Sequence, residues 1–100
     1  MSRIFDSVVA MLATEPLTKL ETLVKTKQAA EYLMQEYPPR ELNLTHDTQD
    51  AADAANYRSY LRDRAEKNWP KLPEQVQNDL IAQLRAVDPG LEEYEVRLLD

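Results

Sequence analysis

A chain of 100 residues with one glycine, one histidine and no cysteine lacks the means for most site chemistry. No glycine-rich loop can cradle a phosphate, no thiolate can act as nucleophile or disulfide partner, and a lone His46 cannot supply a multi-histidine metal site. The net charge of −6 sits at one end, where seven acids (Glu74, Asp79, Asp88, Glu92, Glu93, Glu95 and Asp100) face only Arg85 and Arg97; this argues against nucleic acid and anionic membranes as partners, since both are bound through clustered Lys and Arg.

Prolines divide the chain into helical segments. The first, about Ser2 to Ala13, places Ile4, Phe5, Val8, Val9 and Leu12 on one stripe, with Ser2 placed to cap it and Glu15-Pro16 to close it. The second runs from Leu17 to Tyr37. Thr18-Lys19-Leu20-Glu21 fits a capping box, and Leu20, Leu23, Val24, Ala30, Leu33 and Met34 follow at helical spacing. The run Thr22 to Thr26 is also locally β-prone, and Thr26 is placed to cap a separate helix from Lys27 to Glu36. One long helix, or two with a bend near Thr26, is expected ahead of a strand.

Pro38-Pro39 forces an extended stretch, and Arg40 to Thr45 form a connector from which Leu42 and Leu44 can tuck into the core. The third helix is expected from near Asp47 to about Trp69, with alanines in its first half that permit close helix approach. The fourth starts at Pro73 and carries Val76, Leu80, Ile81, Leu84 and Val87 before Asp88-Pro89-Gly90 stops it. In residues 91–100 the period changes: Tyr94, Val96 and Leu98 alternate with Glu93, Glu95 and Arg97, a strand-like pattern in which a helical turn is the alternative. The expected architecture is all-α, a single helical domain over residues 1–90 with about four helices and a C-terminal arm over 91–100. No apolar run approaches the ~20 residues that span a bilayer, and the N-terminal residues lack the basic-then-apolar order of a signal peptide. The expected location is the cytoplasm, which a cysteine-free chain permits.

His46-Asp47 with Asp50 comes nearest to a local site, but only carboxylates such as Asp53 and Glu41 could complete a metal shell. No setting marks a serine or threonine as activated, so no catalytic, metal or cofactor-binding residues are expected. The interface candidates are stronger. Tyr57, Arg58, Arg62 and Trp69 lie in a mixed-charge stretch with Tyr60, Asp63, Arg64, Glu66 and Lys67, and Arg with Tyr and Trp is the composition of interface hot spots. The bland alternative makes Tyr57, Leu61 and Trp69 core and leaves the arginines in i, i+4 pairs on a solvated face. Tyr94, Val96 and Leu98 form the second candidate, an apolar ribbon that covers its own helices, pairs with a strand such as Leu23 to Lys25, or docks on another chain.

The run Thr26-Lys27-Gln28-Ala29-Ala30-Glu31-Tyr32-Leu33 resembles the opening helix of excisionase-type helix-turn-helix proteins. The resemblance implies DNA binding through a following recognition helix, yet Pro38-Pro39 intervenes and the next helix opens with Asp47, Asp50 and Asp53, which repel phosphate. The reading adopted is a non-enzymatic acidic module that binds a larger protein or complex stoichiometrically, as adaptor, accessory subunit or inhibitor. In size and acidity it resembles the small accessory proteins of phages and mobile elements. The alternative is a structural subunit of a homo-oligomeric assembly such as a virion connector, and a helix-turn-helix DNA-binding protein ranks last.

Overall fold

The computed structural model describes residues 4–39, 51–92 and 96, with the backbone alone for 51–55. The chain is all-α: among these residues five helices run in the order α1 (Phe5–Thr14), α2 (Leu17–Lys25), α3 (Ala29–Glu36), α4 (Ala51–Asn68) and α5 (Glu74–Val87), with a 3-10 turn (Trp69–Lys71) joining the last two. α4 lies along α1, which also touches α3, while α5 packs across α2 and α3.

α1 is buried on every side. Ser7 through Ala13 are all buried, more than the single stripe expected from its apolar spacing. The helix opens at Ile4 without a side-chain cap, so Ser2, outside the described residues, is not the residue at its start. A helix enclosed in this way cannot turn the carbonyls of its last turn to water, and other groups must meet them. Glu15 N–H donates to Met11 O at 3.0 Å, Asn68 Nδ2 to Leu12 O at 2.8 Å and Arg64 Nε to Ala13 O at 3.2 Å. Two side chains one turn apart on α4 therefore cap α1, and the guanidinium lies where the negative helix end favours a cation.

The second segment divides near Thr26, and its β-prone run is helical up to Lys25 because Val24 is buried and Leu23 packs on the core. Pro16, extended at φ −62° and ψ 145°, holds the N-cap position of α2 and accepts the Leu20 N–H at 3.0 Å. Thr18 thus lies inside the helix, and the expected capping box does not form there. The break is a Schellman turn: Gln28 N–H bonds Leu23 O at 2.8 Å and Lys27 N–H bonds Val24 O at 3.1 Å. Lys27, at φ 60°, occupies the left-handed position that glycine usually takes. Thr26 does not cap the next helix; its hydroxyl turns back to Thr22 O at 2.9 Å, and Gln28 stands at the N-cap of α3. The run that resembles an excisionase helix is therefore a turn followed by the start of α3.

The connector with Leu42 and Leu44, the expected helix start near Asp47, and the side chains of the alanine-rich half of α4 lie outside the described residues. α4 ends at Asn68, where Pro70 removes a donor and the chain tightens into the 3-10 turn. Trp69 O accepts both Leu72 N–H at 3.1 Å and the buried Gln77 Nε2 at 2.8 Å, which fixes the corner between α4 and α5. Pro73 is the N-cap of α5, one position ahead of the first helical residue expected for it. Val76, Leu80, Ile81 and Leu84 face the core, but Val87 in the last turn is 46% exposed, as is Met34 of α3 at 42%, so both leave the apolar stripes read for them.

Beyond α5 the Asp88 carboxylate accepts Gly90 N–H at 2.9 Å and its carbonyl accepts Leu91 N–H at 3.0 Å. This turn sends Leu91 back into the core, where Val96 is also fully buried with helical backbone. The strand-like reading of the arm does not hold at Val96, and its proposed partner Leu23 to Lys25 is helical; Tyr94 and Leu98 lie outside the described residues. Among the described residues three buried side-chain polar atoms, Ser7 Oγ, the Trp69 indole Nε1 and Gln83 Oε1, have no hydrogen-bond partner.

Two substitutions test this account. Asn68→Ala, which orphans the Leu12 carbonyl, should lower stability by about 1–2 kcal/mol in urea denaturation. Lys27→Gly should raise it by about 0.5–1 kcal/mol, because glycine relieves the left-handed strain at some entropic cost.

Candidate functional site

α4 presents a narrow apolar seam to α1. Tyr57 is half-buried, Leu61, Ala65 and Trp69 are buried, and the spacing of four keeps them on one line. From Asn56 to Asn68 the residues beside that seam are polar or charged, apart from the exposed Tyr60 ring. Where the seam meets the first turns of α1, Phe5, Asp6 and Val9 face Arg58, Ser59, Leu61, Arg62 and Asp63 across an open groove of about 360 Å³. The Arg62 guanidinium carbon lies 5.5 Å from the Phe5 ring centroid, and Arg62 Nε donates to Glu66 Oε1 at 3.1 Å. Arg64 points the other way, over the Tyr60 ring at 5.7 Å and onto the α1 carbonyl.

The expected interface cluster is thereby split. Arg58 and Arg62 come together at the groove, with Arg58 exposed. Tyr57 leans on the core, and Trp69 and Val96 are wholly inside it, where they can support a surface but not present one. Tyr60, 54% exposed, stands on the outer face. The α1 half of the groove was not legible from the sequence, because Phe5 and Val9 sit on an ordinary core stripe and nothing local links them to residue 58.

A second polar cluster joins three helices. Glu15, in the α1–α2 corner with its side chain 13% exposed, accepts the Tyr32 and Tyr37 hydroxyls on Oε1, both at 2.8 Å, and lies 3.2 Å from Lys19 Nζ through Oε2. Lys19 also donates to the Tyr32 oxygen at 2.7 Å and sits 4.5 Å from the centre of that ring. Thr14 Oγ1 is 2.6 Å from the Tyr37 oxygen. Thr14 Oγ1 also donates to the Ala10 carbonyl at 2.8 Å, so the one threonine proton and the one Tyr37 proton serve three contacts between them.

Burial alone would push the Glu15 carboxyl up, but hydrogen bonds from Tyr32, Tyr37 and Lys19, with the lysine charge, hold it below its ordinary 4.5. Burial pushes Tyr37 up to about 12, against the Thr14 hydrogen bond and with the help of Glu15. Lys19 is held above its usual value by its hydrogen bonds to Tyr32 and Glu15. Glu15 and Tyr37 both move away from neutrality, the reverse of what general acid–base chemistry needs, so the cluster is a brace that ties α3 to the corner. Among the described residues no three acids or histidines are grouped to hold a metal ion, and His46, Asp47 and Asp50 lie outside them. Nor is any described helix long and apolar enough to cross a membrane.

No family model matches the chain, and no curated protein or solved structure matches it either.

The brace predicts opposite pH limbs. Folding favours ionised Glu15, so its stabilisation is complete above about pH 4.5 and is lost as pH falls through the lower folded pKa. Folding favours neutral Tyr37, so its share is complete below pH 10.0 and is lost as pH rises through about 12. Urea denaturation across pH should show both limbs, with Glu15→Gln flattening the acid one and Tyr37→Phe the alkaline one.

Proposed function

We propose that this protein is a non-enzymatic, cytoplasmic binding module that acts stoichiometrically on a larger protein or complex. The supporting observation is the α1–α4 groove, which sets an aromatic floor at Phe5 beside Arg58 and Arg62. An arginine at the mouth of a partly apolar groove offers area, cation–π contact and directed hydrogen bonds together, the combination that concentrates binding energy in few residues. The acidic composition turns phosphate polymers away and leaves proteins as the favoured partners.

Affinity capture with quantitative mass spectrometry tests the reading. Replacing Arg58 and Arg62 together by Ala should reduce recovery of the main partner about tenfold or more, the loss expected when hot-spot arginines are removed. Helical circular dichroism should not change. Undiminished capture by the double variant would overturn the assignment of this groove.

A further inference from the structure

We propose that Tyr32 and Tyr37 form an oxidative modification site, at which a one-electron oxidant of the peroxidase or excited-metal-complex class couples the two rings into a dityrosine. The proposal is independent of the α1–α4 groove. Both hydroxyls donate to the same oxygen, Glu15 Oε1, at 2.8 Å, so the two phenols converge on one proton acceptor. Their ring centroids lie 6.4 Å apart, with the planes tilted at 58°. Tyr37 follows the last helical residue of α3 at ψ 51°, outside the helical region, so a rotation there closes the gap between the rings without breaking the helix.

Removing an electron from a phenol makes its hydroxyl a strong acid, and the electron leaves readily where a base takes the proton at the same moment. Glu15 is that base. Against the pull of burial, the hydrogen bonds from Tyr32, Tyr37 and Lys19 keep it ionised at neutral pH. Its side chain is 13% exposed, so it can pass the first proton to water and accept the second. The Lys19 ammonium, 4.5 Å from the centre of the Tyr32 ring, opposes positive charge there and ties electron loss to proton transfer. Two other oxidisable rings lack this arrangement. Trp69 Nε1 is buried with no acceptor for its proton, and Tyr60 lies 5.7 Å from the Arg64 guanidinium, a charge that opposes electron loss.

The step balances. Each tyrosine gives one electron to the oxidant and its hydroxyl proton through Glu15. The resulting radicals share their spin with the ring carbons beside the oxygens, and one such carbon of each ring joins the other. Each displaced ring hydrogen then moves to its oxygen and restores the phenol, so the product is lighter by two hydrogens.

Photolysis of the full chain with tris(bipyridyl)ruthenium(II) and persulfate, at a dilution that disfavours coupling between molecules, tests the site. The tryptic peptide Gln28 to Arg40 holds both tyrosines, and it should lose two hydrogens and show dityrosine fluorescence. Tyr32→Phe and Tyr37→Phe should each abolish this product, whereas Tyr60→Phe should leave it. Glu15→Gln, checked as folded by circular dichroism, should lose most of the yield. Because the two tyrosines are only five residues apart in sequence, the native chain in urea supplies a comparison that needs no variant, and unfolding should also remove most of the product. Absence of the lighter peptide, coupling through Tyr57 or Tyr60 instead, or a yield unchanged in urea or in folded Glu15→Gln overturns the proposal.

Discussion

The structure depends on satisfying the carbonyl end of a helix enclosed by protein. α1 gives its apolar length to the core, and the cost of that position is an unhydrated last turn, each orphaned carbonyl being worth about 1–3 kcal/mol. Arg64 and Asn68 remove the penalty from α4, with bonds of 3.2 and 2.8 Å to Ala13 and Leu12. Both bonds fix how far α4 slides along α1. That register in turn decides which residues of α4 stand over the first turns of α1, and so whether Arg62 finds the Phe5 ring. The groove is a consequence of the cap.

The same device recurs because the chain has a single glycine. Helices often end on a left-handed glycine that brings late amides back to the free carbonyls. Here Lys27 takes that conformation after α2, and Gln83 Nε2 of α5 adds a bond to Val24 O at 2.8 Å. Gly90 does not adopt a positive φ, and the turn after α5 is closed by the Asp88 side chain instead. Gln77 holds the Trp69 carbonyl. Net stabilisation from each such bond is about 1 kcal/mol, whereas burying a side chain such as Leu80 or Leu84 contributes about 1.5–3 kcal/mol. Burial therefore supplies the stability, and the long-range caps choose among the packings that would bury the same residues.

Charge on α4 is distributed by the same geometry. Three arginines within two turns have different surroundings: Arg64 is drawn to a helix end, Arg62 is held between Glu66 and an aromatic ring, and Arg58 is left to solvent. Their exposed ion pair is worth little, since screening and side-chain entropy offset most of the Coulomb gain. What distinguishes Arg58 and Arg62 is location beside a partly apolar groove. Glu15 shows the opposite case, a carboxylate withdrawn from water and surrounded by donors until it serves as a tether.

The all-α class, the proline boundaries and most of the core were determined by the sequence itself, because apolar periodicity and proline geometry act over a few residues and need no distant partner. Local signals failed where a distant contact outweighed them. Thr18 and Thr26 look like caps, but Pro16 and the Schellman turn at Lys27 set the helix ends; Val87 shares a stripe with Leu84, but it falls where nothing covers it. Trp69 could have been surface or core on composition alone, and only the fold enclosed it. The groove belongs wholly to the tertiary structure. Phe5 and Arg58 are separated by more than half the chain, and they meet because two α4 side chains complete the hydrogen bonding of α1, a requirement that exists only once that helix has been buried.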